Sequence, residues 1–237
     1  MLAQQTPAPM TPAPPAPTDE FGAKVRAYLL AHPEVIMEAV QELRQRQEAA
    51  QAEAAKAAIA AHRDDIFRDP ASPVAGNPVG DVTLVEFFDY NCPYCRKVAP
   101  DLWALPDADP GLRLVFKEFA ILGPTSEFAA RVALAAQKQG KYLPVHQALM
   151  RAEQPLTEDK VFRAATGAGA DLARLKRDMA DPSVDAEIAR TRELAETLGI
   201  TGTPGFVVGD ALIPGAVERD ALQAAIAEAR GTKDAPR

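Results

Sequence analysis

The sequence predicts an α/β fold with a central buried strand and a long helical region, preceded by a helical extension. An apolar, β-branched and aromatic run at residues 81–88 is typical of a central strand covered on both faces. A long helix with heptad-spaced apolar residues precedes this strand. Helical segments fill residues 123–199; Thr125 or Ser126 is expected to cap the first of them, and a later one is expected to open at Thr157. A chain of 237 residues that is 47% hydrophobic can bury a substantial core, so we expect one main domain with additions.

The first element is a proline-rich tail at residues 1–20. Six of the 21 prolines fall there, separated by Ala, Thr and Gln without hydrophobic periodicity. Such a segment buries too little surface to offset the entropy of ordering, which predicts a disordered, partly polyproline-II conformation. A linker or tether is the favoured interpretation, and a proline-rich recognition ligand is the alternative.

Residues 21–66 are predicted to be helical. A short helix covers residues 21–30, and Pro33 fits the first turn of a longer helix that runs to about Phe67. In the longer helix an a/d pattern, interrupted once by a polar residue, occupies positions 36, 40, 43, 47, 50, 54, 57 and 61. Its alanine-rich second half offers little area to bury and is expected to be a stiff spacer. We expect self-association through residues 21–48; the alternative is a monomer in which the helix folds back on the main domain.

Both cysteines of the chain lie in one motif, Cys92-Pro93-Tyr94-Cys95. Two intervening residues let the sulfurs meet, so the pair can alternate between dithiol and disulfide. A structural zinc site would need four ligands, whereas the histidines are scattered singly at positions 32, 62 and 146. A purely structural disulfide would close too short a loop to stabilise the fold much. The motif therefore predicts thiol–disulfide exchange without a metal or a separate cofactor.

The flanking elements place Cys92 at a strand-to-helix junction. The strand at 81–88 ends shortly before it, and residues 96–103 are predicted to be helical. The dipole and the unpaired N–H groups of a helix N-terminus stabilise a thiolate, so Cys92 is the expected nucleophile and Cys95 the buried resolving thiol. Pro93 suits the first helical turn, and Pro100 is expected to kink the same helix.

The chain resembles the DsbA-like periplasmic proteins of the thioredoxin superfamily in two segments, Glu86-Phe87-Phe88-Asp89-Tyr90-Asn91-Cys92-Pro93-Tyr94-Cys95 and Gly202-Thr203-Pro204-Gly205. The resemblance implies a thioredoxin fold at residues 67–237, with a helical insertion at about 123–199 and a closing β-β-α unit. It also implies a cis peptide bond at Thr203–Pro204 that faces the cysteines. The residues expected to contact substrate are Pro93, Tyr94, Thr203 and Pro204.

Glu86 stands in the apolar strand, six residues before Cys92, where the family keeps a buried acid. Such a group can relay protons while thiols attack and leave, and Lys117 on the neighbouring strand is a candidate partner. The alternatives are a solvated Glu86 at a strand end and a solvated Lys117. For His146, a packing role in a helix is favoured over a ligand role.

The helical extension makes the chain similar to the suppressor-of-copper-sensitivity C branch of the DsbA-like proteins, whose members oligomerise through that segment. Thr203 before the cis-proline is typical of isomerases. The leading hypothesis is therefore an oligomeric disulfide isomerase or reductase that acts on protein disulfides and works with a membrane thiol–disulfide partner. The alternatives are a DsbA-like oxidase, kept oxidised by such a partner, and a copper(I)-binding protein whose soft thiolates capture the ion.

Charge and the N-terminus bear on partners and location. The net charge of −7, without a basic cluster, argues against nonspecific nucleic-acid binding. No apolar stretch reaches the ~18 residues of a membrane span. The first residues lack the charged and apolar regions of a signal peptide, so Met1 is interpreted as an expression start near a processing site. Together with the resemblance, an exposed dithiol predicts the periplasm.

Overall fold

A computed structural model describes residues 20–234, with side chains described up to residue 231. Apart from Glu20, the predicted tail lies outside the described residues. The chain divides into two compact units, and the boundary along the sequence lies between Ala50 and Gln51. The functional boundaries expected at residues 20 and 66 remain predictions.

The first unit contains helix α1 (Glu20–Ala31) and the beginning of helix α2 (Glu34–Ala61). The short first helix is confirmed, and the long helix begins directly after Pro33. None of the α1 residues is buried. Apolar side chains along the start of α2 are also exposed, among them Ile36 at 50% and Leu43 at 55%.

The long helix ends earlier than predicted. Helix α2 stops at Ala61, and α3 (Arg63–Phe67) is separate because His62 leaves the helical region, with φ −113° and ψ 27°. Within the second unit, Ile59 and Ile66 are fully buried in the same apolar cluster. The alanine-rich half of α2 is therefore more than a spacer, since its end packs against the core.

The second unit is built on a five-stranded mixed sheet in the order β1-β3-β2-β4-β5. Strands β2 and β3 are parallel, and the other neighbouring pairs are antiparallel. The strands are β1 (Val74–Gly76), β2 (Val82–Phe88), β3 (Leu112–Glu118), β4 (Gly205–Val208) and β5 (Ala211–Pro214). The predicted central strand is confirmed as β2, and the closing hairpin and terminal helix follow as expected.

Helices cover both faces of the sheet. Successive residues of a strand point to opposite faces: Leu84 and Phe88 of β2 belong to one apolar cluster, whereas Val85 and Phe87 belong to another. The remaining helices are α4 (Pro93–Trp103), α5 (Leu105–Ala108), α6 (Pro124–Gln137), α7 (Tyr142–Arg151), α8 (Glu158–Gly167), α9 (Leu172–Asp178), α10 (Pro182–Thr197) and α11 (Arg219–Asp234). The described architecture is thus the predicted α/β fold, with the helical insertion between β3 and β4.

Details of the insertion differ from expectation. Thr125 or Ser126 was the expected cap of α6, but Gly123 precedes the helix with φ 109°, and the hydroxyl of Ser126 is used elsewhere. Thr157 does cap α8, since its side chain accepts a hydrogen bond from the Lys160 N–H.

None of the described helices is both long and apolar enough to cross a membrane.

Candidate active site

The redox motif lies where β2 gives way to α4. Cys92 is the N-cap residue of α4, with extended backbone angles of φ −71° and ψ 117°, and Pro93 takes the first helical position. Cys92 is 3% exposed, Cys95 is fully buried, and Tyr94 between them is 61% exposed. The predicted strand-to-helix junction is confirmed, and Pro100 does lie inside the helix.

Hydrogen bonds concentrate on the Cys92 sulfur. Contacts with the Cys95 thiol, the Thr203 side chain and the Cys95 and Tyr94 backbone lower the pKa of Cys92 to about 5, against the opposing effect of burial. When the thiol is protonated it donates to the Thr203 carbonyl oxygen, 3.2 Å from Sγ. At neutral pH Cys92 is therefore a thiolate.

Cys95 has the opposite character. Burial, the hydrogen bond to Cys92 and the nearby Glu86 carboxyl raise the pKa of its thiol well above the ordinary range. The two sulfurs thus differ in protonation at neutral pH, and the geometry supports the predicted division into nucleophile and resolving thiol.

The segment before β4 brings Thr203 and Pro204 to the motif. Strand β4 pairs antiparallel with β2, with Gly205 opposite Phe87, and this pairing places residues 203–204 beside the end of β2. The Thr203–Pro204 peptide bond is cis, as the resemblance implied. Pro204 is buried, whereas Thr203 is partly exposed.

Glu86 is buried in mid-strand, only 2% exposed, so the solvated alternative is wrong. Burial and the charge of Cys92 raise the pKa of its carboxyl to about 8. Among the described residues its Oε1 atom has no hydrogen-bond partner. Glu86 is therefore a mostly protonated acid on the active-site face of the sheet.

Lys117 does not pair with Glu86, and both expectations for it are wrong. Glu86 lies opposite Phe116 in the β2–β3 ladder, which places Lys117 on the other face of the sheet. There its side chain is 2% exposed, and Nζ donates to Asp69 at 3.0 Å. The lysine thus stabilises the opposite side of the domain.

Two further acids near the motif were not identified from the sequence. Glu118 is 2% exposed, and its Oε1 accepts hydrogen bonds from Tyr90 at 2.9 Å and from Tyr142 at 2.8 Å. Burial raises the pKa of Glu118, although the two tyrosines oppose the shift. Asp89, three residues before Cys92, is 1% exposed. Their position next to an apolar strand was the one feature of the sequence that could have identified these acids. It was not enough, because the partners of the acids are remote in sequence.

His146 is a packing residue, as expected. It is fully buried and lies among aromatic rings, with its Nδ1 atom 3.1 Å from the Tyr90 hydroxyl. Burial lowers the pKa of the imidazole to about 3, so the ring is neutral. In the described part of the chain, no group of three or more His, Cys, Asp or Glu side chains could hold a metal ion.

The surface next to Cys92 is separate from the cavity at the start of β2. A cavity of about 400 Å³ lies at the start of β2 and is lined by Thr83, Arg63 and Arg113, among others. This cavity is not at the redox motif, because Cys92 follows the other end of the strand. At the motif itself, Pro93 and Tyr94 are exposed. Cys92 itself, at 3% exposed, lies next to these exposed residues and against Thr203.

Comparison with known families assigns both parts of the chain. Residues 83–227 match the DSBA-like thioredoxin domain. Residues 18–50 match the N-terminal domain of the copper resistance protein ScsC. The first match includes the redox motif and the Thr203–Pro204 segment.

Solved structures share the fold. A thioredoxin-like oxidoreductase from Silicibacter pomeroyi is 54% identical with a TM-score of 0.70, covering 71% of this chain and 98% of that one. BcfH from Salmonella enterica Typhimurium is 32% identical with a TM-score of 0.77, covering 90% and 95%. ScsC of Proteus mirabilis in a transitional conformation is 30% identical with a TM-score of 0.69, covering 90% and 96%.

Curated relatives are matched over part of their length. The Na(+)/H(+) antiporter NhaA 3 of Salinispora tropica is 30% identical over 158 residues, which cover 66% of this chain and 24% of that protein. The chain spans about a quarter of the length of the first such relatives. The likeness is confined to that part of them.

Proposed function

Because the chain belongs to the DSBA-like thioredoxin family, we propose that it is a thiol–disulfide oxidoreductase that acts on disulfides of other proteins. One observation carries the proposal: a Cys92 thiolate at the N-terminus of α4 lies against Thr203, next to a buried, protonated Cys95. Thiolate character and access together determine which cysteine reacts. Cys92 has the lowered pKa, and at 3% exposed it is the less buried of the two cysteines.

The reaction begins when the Cys92 thiolate attacks one sulfur of a substrate disulfide. A new S–S bond joins Cys92 to that sulfur, and the other substrate sulfur leaves as a thiolate and takes up a proton. In reduction, Cys95 loses its proton and attacks Cys92 Sγ, which releases the second substrate thiol and leaves a Cys92–Cys95 disulfide. In isomerisation, another substrate thiolate attacks the mixed disulfide and regenerates Cys92 without net electron transfer.

Glu86 is proposed to relay the proton of Cys95. The Cys95 thiol must lose its proton within a buried site before it can attack, and the charge of Glu86 acts on that thiol. A carboxyl with a pKa of about 8 can accept and return a proton near neutral pH. Its burial on the face that carries the cysteines supports this role.

Thr203, Pro204, Pro93 and Tyr94 are proposed to contact the substrate chain. The backbone on either side of the cis bond lies beside Cys92 and can pair with an extended peptide, as other strand-adding sites do. Backbone pairing leaves side-chain sequence largely unread, so we expect many protein substrates.

The favoured direction is isomerisation or reduction. Thr203 before the cis-proline and the match of residues 18–50 to the ScsC N-terminal domain support it. The oxidase alternative is favoured by the low pKa of Cys92. That pKa stabilises the reduced form at pH 7 by at most ~3 kcal/mol before solvent screening, or roughly 60 mV.

Refolding of ribonuclease separates the two directions. An isomerase recovers activity from scrambled-disulfide ribonuclease, whereas an oxidase acts only on the reduced enzyme. The Cys92→Ser variant is the control and should be inactive in both assays. Activity on reduced ribonuclease alone would contradict the isomerase proposal.

Self-association through residues 21–48 is also proposed. The a/d side chains of this segment are exposed within the single chain, among them Val40 at 37% and Leu43 at 55%. Sedimentation should show an oligomer of the full chain. The Val40→Glu/Leu43→Glu variant should dissociate it, and Gln41→Glu/Gln45→Glu, which adds the same charge off the a/d positions, should not. A monomeric full chain would contradict the proposal.

A periplasmic location and a membrane redox partner complete the proposal. The solved structures that resemble this chain include a periplasmic thioredoxin-like protein from Salmonella enterica serovar Typhimurium. A reductase or isomerase must have its Cys92–Cys95 pair reduced again after each oxidation, and an oxidase must have it reoxidised. A membrane thiol–disulfide protein is the proposed source in either case.

A further inference from the structure

The Asp89 carboxylate lies between the end of β2 and the redox motif, and it is 1% exposed. Its Oδ1 atom accepts hydrogen bonds from the Asn91 backbone N–H and from the Ser126 hydroxyl, both at 2.7 Å. Its Oδ2 atom accepts from the backbone N–H groups of Ile121 at 2.8 Å and Leu122 at 2.9 Å. Four donors fill the acceptor positions of one carboxylate.

These bonds join two segments that are remote in sequence. Asn91 and Cys92 belong to the redox loop, whereas residues 121–126 lead from β3 into α6. The Asn91 side chain adds a second connection, since Nδ2 donates to the Ser126 hydroxyl at 2.8 Å and to the Thr125 hydroxyl at 3.1 Å. The Cys92 N–H also donates to the Asp89 carbonyl at 3.1 Å, which ties the nucleophile to the same residue.

The segment held by Asp89 presents apolar side chains to solvent. Ile121 is 37% exposed and Leu122 is 48% exposed, immediately before the first turn of α6. Their backbone N–H groups point inward to Asp89. The outward side chains are therefore fixed relative to the redox loop by hydrogen bonds to a charged group, which are stronger than neutral ones.

We propose that Asp89 is a positioning residue for substrate binding, which holds residues 121–126 at a set distance from Cys92 as one wall of the site that receives the protein substrate. This inference rests on the proposed thiol–disulfide exchange at Cys92. The backbone of Asp89 forms a hydrogen bond with the Cys95 sulfur, but the carboxylate, which carries this role, contacts Asn91, Ser126 and the 121–122 backbone instead. It determines where the apolar wall stands, and so it acts on binding of a long chain more than on the chemistry of a small disulfide.

An asparagine cannot replace Asp89 in this arrangement. The carboxylate offers an acceptor oxygen to each pair of donors, whereas an amide offers one oxygen and one NH₂ group. The NH₂ group would face either the Ile121 and Leu122 N–H groups or the Asn91 N–H and the Ser126 hydroxyl. One segment must therefore move away in the Asp89→Asn variant although the side chain keeps its size.

The test compares a protein substrate with a small one in the full-length chain. For Asp89→Asn, we expect the KM for scrambled ribonuclease to rise about tenfold because one donor pair loses its charged acceptor. The rate constant with oxidised glutathione should change less than about twofold because Cys92 keeps its place at the helix N-terminus. Asp101→Asn, which removes the same charge from an exposed position on α4, should behave like the wild type.

Ser126→Ala provides a milder variant if Asp89→Asn does not fold. It removes one of the four donors and one acceptor of Asn91, and we expect a rise in KM of about threefold with the glutathione rate retained. An unchanged KM in these variants, or equal losses with both substrates, overturns the inference. A wild-type protein that reacts with neither substrate overturns the proposed function instead.

Discussion

Replacement of Glu86 by glutamine should remove a pH-dependent cost of folding. The carboxyl is buried, and its pKa is raised from 4.5 to about 8 in the folded protein. In the unfolded chain the carboxyl ionises near its ordinary pKa. As the pH rises, ionisation therefore stabilises the unfolded state at a lower pH than it stabilises the folded state. The contribution of the protonated Glu86 carboxyl to the free energy of unfolding is therefore fully present below pH 4.5, and it is lost as the pH rises through 8.

The size of the effect follows from the two pKa values. At pH 7, which lies 2.5 units above the ordinary pKa of 4.5, the Glu86 carboxyl is ionised in the unfolded chain. In the folded protein the same carboxyl remains mostly protonated. The difference is about 3 kcal/mol in the free energy of unfolding, since each pH unit corresponds to ~1.4 kcal/mol. Glutamine does not ionise, so the stability of Glu86→Gln relative to the wild type should increase by that amount between pH 4 and pH 7.

Urea denaturation of the reduced proteins at several pH values measures this difference directly. The comparison uses the change with pH, because the amide has its own fixed cost of burial. Glu196→Gln, an exposed substitution on α10, serves as the matched control and should follow the wild type. A constant difference between Glu86→Gln and the wild type across this range would refute the buried, protonated state of Glu86. A disulfide-exchange rate with the same pH dependence in both proteins would refute its role as a proton relay.

Two further predictions concern the active site and the opposite face of the sheet. Thr203→Val should raise the pKa of Cys92 from about 5 to about 6, because one hydrogen bond to the thiolate is lost. The pH dependence of alkylation by iodoacetamide measures this pKa. The control is Thr203→Ser, which keeps the hydroxyl and should retain the low pKa. Lys117→Met should destabilise the domain by about 3 kcal/mol, because Asp69 loses its buried partner. Urea unfolding measures the loss, Lys97→Met is the exposed control, and retained stability would show that the ion pair contributes little.

Much of the site could be predicted because its parts are local in sequence. The apolar run that forms β2, the spacing of the cysteines and the proline at the helix start together fix Cys92 at a strand-to-helix junction. The cis bond at Thr203–Pro204 was accessible only through the family resemblance, since spacing alone does not distinguish cis from trans.

The errors arose where tertiary contacts decide the outcome. Lys117 points away from Glu86 because the register of two parallel strands, which the sequence does not reveal, sets the face of each residue. Ser126 does not cap α6 because its hydroxyl binds Asp89 instead. The long helix breaks at His62, and beyond the break Ile66 joins Ile59 in the core. Each case involves a partner from a distant segment.

Trapping of a mixed disulfide tests the assignment of Cys92 as the nucleophile most directly. The Cys95→Ser variant cannot resolve the intermediate, so after incubation with a disulfide-linked peptide, mass spectrometry should find one peptide bound covalently through Cys92. The Cys92→Ser variant, which retains only the buried thiol with the raised pKa, should bind none. A peptide linked through Cys95, or no adduct in the Cys95→Ser variant, would contradict the account.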